Sequence, residues 1–178
     1  LRRVDTPDRA RPAARTGHLT SRAASVATGD VRARLGLERE ASRSAFEAKP
    51  NPHRYLREHC RAVDRALREA WHARGMSQEL ALIAVGGYGR GELYPHSDVD
   101  ILVLLPIAAG KAERGTLEVF ITDLWDLGLE LGHAVRTVDE CRQEAKDVTV
   151  ITALLEARWL AGSRTLFKAL QSAVAATL

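Results

Sequence analysis

Residues 80–105 read LALIAVGGYGRGELYPHSDVDILVLL, and this stretch decides the fold. The run Leu80–Val85 is short, continuous and branched, as a buried strand requires. Gly86-Gly87 ends it, Gly89 and Gly91 keep the following loop free of side-chain bulk, and Pro95 excludes a helix there. Val99–Leu105 reads as a second buried strand, with Asp98 and Asp100 at its entrance. Two residues apart on a strand, these carboxylates project to the same side. Like charges so placed repel unless a cation or solvent separates them, so the pair marks a site or a costly surface.

Spacing separates the chemistries that such a stretch can carry. A dinucleotide fingerprint needs GxGxxG opening a helix, but Gly87-Tyr88-Gly89 is followed by Glu92 where the last glycine belongs. No GK[ST] closes a P-loop, and no GxSxG marks a nucleophilic serine. Asp98-Val99-Asp100 runs into the apolar Ile101–Leu105, which is incompatible with an EF-hand calcium loop. What remains is a strand, a Gly-Gly turn, a spacer, and an acid-x-acid pair leading a second strand. That arrangement suits nucleotidyl transfer. Asp98 and Asp100 can hold one or two magnesium ions, which bridge triphosphate oxygens. Gly86-Gly87 leaves backbone N–H groups open to phosphate, Ser97 can donate to a phosphate oxygen, and Arg90 can neutralise another. The bland alternative has Asp98 capping a turn and Asp100 paired with Arg90 or Arg136. It explains one acid alone better than it explains the whole constellation.

Gly86, Gly87, Asp98 and Asp100 match the pattern of the DNA polymerase beta superfamily of nucleotidyltransferases, and the stretch resembles that superfamily. The fuller wording, with LWDLGLELGHAVRTVDEC and DVTVITALLEARWLAGSRTLF downstream, looks like the bacterial enzymes that add and remove uridylyl groups on the nitrogen-signalling protein PII. The resemblance runs from about Pro52 to Phe167. It implies UTP as nucleotide, magnesium as cofactor and a tyrosine hydroxyl of PII as acceptor. That family also carries an HD phosphohydrolase domain and two ACT domains, which do not fit in 178 residues, so uridylyl removal and glutamine sensing are expected to be absent here. The superfamily's usual third carboxylate is expected on the strand His133–Val138, which holds no acid. Glu130, Asp139, Glu140 and Asp147 flank it, and His133 is a further candidate base. Two other readings stand beside UMP transfer: a related nucleotidyltransferase using ATP, and a non-catalytic remnant acting as an interaction domain.

The expected fold is α/β, a small mixed sheet flanked by helices, with helical segments at both ends. Composition agrees with one globular domain: 46% hydrophobic and 28% charged residues, and a net charge of +3. That charge is too mild to argue for nucleic acid as a partner. Cys60 and Cys141 lack metal or disulfide spacing, no apolar run reaches membrane-spanning length, and no signal peptide is visible, so a cytoplasmic protein with reduced thiols is expected. Residues 1–45 are poor in large apolar side chains and are expected to be a poorly structured basic segment, apart from some helical pattern in 31–46. Residues 46–178 are expected to be the nucleotidyltransferase domain, truncated at its C-terminal end relative to the family. Leu56, Cys60, Val63, Leu67 and Trp71 mark a helix after Asn51-Pro52, with His53, His59 and His72 at its surface or caps. Further helices are expected over 111–127, 147–160 and 165–178. Thr137 and Glu140 form a capping-box pattern, and Asp147 an N-cap. Trp125 and Trp159 are expected in the core.

Overall fold

A computed structural model describes residues 20–107 and 110–177 of the 178-residue chain. The chain runs α1 (Thr20–Ala48), α2 (Pro52–Ala73), β1 (Ala81–Ala84), α3 (Gly86–Gly89), β2 (Val99–Leu104), α4 (Lys111–Asp126), β3 (Leu131–Arg136), α5 (Val138–Glu144), α6 (Val148–Leu155), β4 (Arg158–Gly162) and α7 (Arg164–Ala175). The four strands form one sheet in the order β3-β2-β1-β4. β1 is antiparallel to β2 and to β4, while β2 and β3 run parallel. The mixed α/β sheet expected from the sequence is therefore present.

Residue alternation along the strands builds a core on each face. Leu82, Ala84, Val99, Ile101 and Val103 pack with α1, α2 and α4 through Leu35, Val63, Leu67, Trp71 and Phe120. Ile83, Leu102 and Leu104 pack with Cys141, Leu154, Leu170 and Val174 from α5, α6 and α7. Helices thus cover both faces rather than one. All five residues that marked α2 in the sequence are buried. Asn51 caps its start by accepting from the Arg54 N–H at 3.0 Å. Thr137 and Glu140 form the anticipated capping box on α5, and Asp147 caps α6.

Four expectations are corrected. Helix α1 begins at Thr20, where a poorly structured segment was expected up to residue 45; residues 1–19 lie outside the described part. Its apolar residues are few, but Val31 and Leu35 stand one turn apart and are buried against the core. Ion pairs to α2 (Arg34 with Glu69, and Arg65 with Glu38 at 2.7 Å) fix the rest of the contact. The helix expected over 147–160 stops at Leu155, and Arg158–Gly162 is the strand β4. Five residues carry too few periods to reveal a strand, and pairing with β1 outweighs the local helical preference of Ala157–Ala161. Trp125 is half exposed rather than core. His59 is not a surface residue: it is 3% exposed.

Gly162 closes β4 with φ +76°, a left-handed conformation that side chains resist. A Cβ there would also overlap the carbonyl of Leu80 and crowd Trp71 at 3.1 Å. Gly115, inside α4, has open space around it. Gly162→Ala is therefore expected to cost about 2–4 kcal/mol in urea unfolding, whereas Gly115→Ala is expected to stabilise by about 0.5–1 kcal/mol.

Candidate functional site

The antiparallel pairing of β1 and β2 brings the end of one strand beside the start of the other. The N–H of Val85 donates to the carbonyl of Asp100 at 3.1 Å, so Gly86 follows directly beside the acid pair. Gly86 adopts φ +58° and turns the chain into α3, a single helical turn rather than an open loop. This residue is glycine because a left-handed backbone is needed, and a Cβ there would stand in contact with Asp100 Oδ2 at 3.5 Å. On the other flank Gly132 of β3 is the registered partner of Asp100, and a Cβ there would overlap Asp100 Oδ1. Two glycines thus cradle one carboxylate.

Asp98 lies exposed one residue before β2, and Asp100 is half-buried on it. Burial, and next the charge of Asp98, push the Asp100 carboxyl above its ordinary range. Neither arginine of the bland reading answers it. Arg90 binds Glu156 at 2.6 Å, and Arg136 pairs with Glu144. Among the described residues the Asp100 carboxylate has no hydrogen-bond or ion partner. A half-buried, unpaired carboxylate beside a second one is a donor set suited to a divalent cation. It supplies two ligands, and among the described residues no cluster of three or more His, Cys, Asp or Glu forms around them.

The other sequence candidates fall around this pair. Gly86 and Gly87 form the start of α3, whose leading amides have no acceptor inside so short a turn. The Arg90 guanidinium stays near Gly87, 3.6 Å from where a Cβ would stand, while bound to Glu156. Ser97 is exposed next to Asp98, and its N–H closes a turn onto the carbonyl of Tyr94 at 3.1 Å. His133 does not join them. It is registered with Ile101 on β2, so it points to the face opposite Asp100. Asp147 is spent on capping, accepting from Thr149 at 2.7 Å.

The residues that the sequence reading missed hold the glycine turn in place. Arg158 of β4 donates to the carbonyls of Tyr88 and Gly89, each at 3.2 Å. Asp64 of α2 accepts from Arg158 at 2.6 and 3.0 Å and from the Tyr88 hydroxyl at 2.7 Å. The Arg158 guanidinium also stands 5.3 Å from the Tyr88 ring centre. Asp64 had one visible signal: it falls on the apolar stripe of α2, where an acid needs a partner. Arg158 had none, because its partners are 69 to 98 residues away.

Comparison with known proteins matches this sequence to a family. The profile described as Nucleotidyltransferase domain matches residues 63–159, more than half of the chain, and includes Asp64, the glycine turn, the acid pair and Arg158. The chain belongs to the nucleotidyltransferase domain family. Among similar proteins is the bifunctional uridylyltransferase/uridylyl-removing enzyme of Bordetella parapertussis, 52% identical over 149 residues, which are 83% of this chain and 17% of that protein. The enzyme of the same description from Ralstonia nicotianae is 51% identical over 154 residues, 86% of this chain and 18% of that protein. That from Burkholderia thailandensis is 61% identical over 109 residues, 61% of this chain and 13% of that protein. The chain therefore spans about a sixth of the length of the curated relatives it matches. Membership places it among transferases of nucleotidyl groups.

Two consequences are measurable. Arg158→Gln leaves Asp64 with a weaker partner in a largely buried place, and is expected to destabilise by about 2 kcal/mol in urea unfolding. Asp100 behaves oppositely. Its folded-state pKa lies above its unfolded value, so the folded form binds the proton more tightly. The stabilisation is complete below the unfolded pKa and is lost as pH rises through the folded pKa. At neutral pH the ionised carboxylate is therefore a cost to folding, and Asp100→Asn is expected to raise Tm at pH 7 in metal-free buffer. The gain should shrink as the pH falls through the range where Asp100 protonates.

Proposed function

We propose that this nucleotidyltransferase domain transfers UMP from UTP to a tyrosine hydroxyl of the PII signalling protein, as a step in bacterial nitrogen regulation. The observation that carries the reading is the cradle of Gly86 and Gly132 around a half-buried, unpaired Asp100 beside Asp98. Half-identity to proteins described as uridylyltransferase/uridylyl-removing enzymes supports the choice of uridylyl over other nucleotidyl groups. The absence, among the described residues, of a helix long and apolar enough to cross a membrane is consistent with a cytoplasmic role.

Asp98 and Asp100 are the residues that would hold magnesium, which when bound supplies positive charge against the triphosphate. The leading amides at Gly86 and Gly87 face the phosphates, with no side chain between. Ser97 donates to a phosphate oxygen, and Arg90, once drawn from Glu156, neutralises another. In the transfer the acceptor oxygen bonds to the α-phosphorus, the bond to the pyrophosphate breaks and pyrophosphate leaves, and the hydroxyl proton passes to solvent water. The half-buried setting of Asp100 matters because charge interactions strengthen where water is excluded.

A second reading, a fold retained for binding alone, is favoured by one observation. The β3 position registered with Asp100 is Gly132, where a third carboxylate would have to overlap Asp100.

Incubation of the chain with magnesium, PII and each of UTP, ATP, CTP and GTP separates the readings. Labelled PII is expected with UTP, and Asp98→Asn or Asp100→Asn should each lower the rate by about 100-fold or more. A clear preference for ATP would overturn UMP transfer. No product with any nucleotide, together with no metal-dependent binding of a nonhydrolysable UTP, would favour the binding fold. Gly132→Ala is expected to lower the rate by about tenfold while barely moving Tm, because the added methyl displaces a side-chain oxygen and not the backbone.

A further inference from the structure

Behind the acid pair, on the α1 and α2 face of the sheet, lies a cavity of about 400 Å³ that shares only Ser97 with the proposed transfer site. Asp100 alternates with Val99, which lines this cavity, so the carboxylate projects to the opposite face. The walls come from three elements: Arg39 and Arg43 of α1, His59 of α2, and His96 and Ser97 from the segment before β2. One of these groups has a buried atom without a partner. The Nε of Arg39 has no acceptor, and Arg39 pairs with no carboxylate among the described residues. His59 is 3% exposed, lines the cavity, and makes no hydrogen bond among those residues. Burial, with Arg39 and His96 beside it, brings its imidazole down to about 4, so the ring is neutral and keeps one N–H to donate.

A buried guanidinium nitrogen left without an acceptor is costly, and such a group normally finds a ligand, an ion or water. The two acids in the wall do not supply one. Glu40 binds Arg43 at 2.8 Å, and Glu130 is exposed. The uncompensated charge is that of Arg39, so the ligand is anionic. Its donors arrive from a helix, a second helix and a loop, which suits the tetrahedral oxygens of a phosphate better than a planar carboxylate. The volume matches that of about a dozen waters at ~30 Å³ each, more than a bare phosphate fills.

We infer that this cavity is a second ligand site, taking the phosphate group of a small phosphate monoester through Arg39, His59 and His96. Because Ser97 precedes Asp98, occupation would order the segment that carries the acid pair. Calorimetric titration of the chain in metal-free buffer, with inorganic phosphate and with ribose 5-phosphate, tests it. Both are expected to bind, the ester with a Kd of about 1 mM or tighter and the free ion more weakly. Arg39→Gln and His59→Phe should each weaken binding at least tenfold, and the Asp98→Asn/Asp100→Asn double variant should bind as the wild type does. Should His59→Phe not fold, the Arg39 Nε–Hε and His59 ring resonances of the wild type are expected to shift and saturate on titration. Binding that needs magnesium and both aspartates would assign the phosphate to the transfer site and overturn the inference. So would unchanged binding by Arg39→Gln, equal affinity for glutarate, or no binding of either phosphate compound.

Discussion

The glycine turn stands where it does because a guanidinium from β4 takes its carbonyls, and a carboxylate from α2 takes the guanidinium. Arg158 carries Tyr88 and Gly89 on one side and Asp64 on the other, and the Tyr88 hydroxyl closes the loop back to Asp64. α3 has only four residues, so internal helical bonds cannot hold it. Its position is set by this network and by the backbone bond from Val85 to Asp100. The candidate site depends on that placement, since it sets Gly86 against Asp100.

Placing Asp100 has a cost that the fold accepts. A carboxylate half-buried beside another is destabilising in the absence of a cation, and Arg90 and Arg136 are committed to Glu156 and Glu144. Leaving it unpaired keeps the ligand available. Glycine at 132 continues the same logic, because a side chain there would take the space of the carboxylate, while glycine at 86 allows the left-handed turn beside it. Stability elsewhere compensates, with two buried faces of the sheet and the capped helices α2, α5, α6 and α7.

Helix α1 shows how the same physics extends the domain beyond its obvious core. It packs along α2 through few apolar residues and several ion pairs, a contact with weak sequence contrast. That packing also creates the cavity of Arg39 and His59, whose polar groups read from sequence as part of a poorly structured basic segment and as a surface or cap histidine.

Legibility followed the range of the interactions. The strand–turn–strand over Leu80–Leu105, the periodic face of α2 and the capping box at Thr137 are local patterns, and each was readable because steric period and short hydrogen bonds repeat within a few residues. The proximity of Gly86 to Asp98 and Asp100 was readable for the same reason, since a hairpin-like return over a short spacer leaves few alternatives. Strand β4 was not, because five residues read as the end of a helix until β1 pairs with them. Nor was the burial of His59, the exposure of Trp125, or the pairing of Arg158 with Asp64. The sequence by itself determined the strand–turn–strand that sets Gly86 beside Asp98 and Asp100, and that an α/β sheet carries it. Only the tertiary structure decided which charges neutralise one another and which are left open, because electrostatic partners are chosen by distance in space and by burial, and neither quantity is written along the chain.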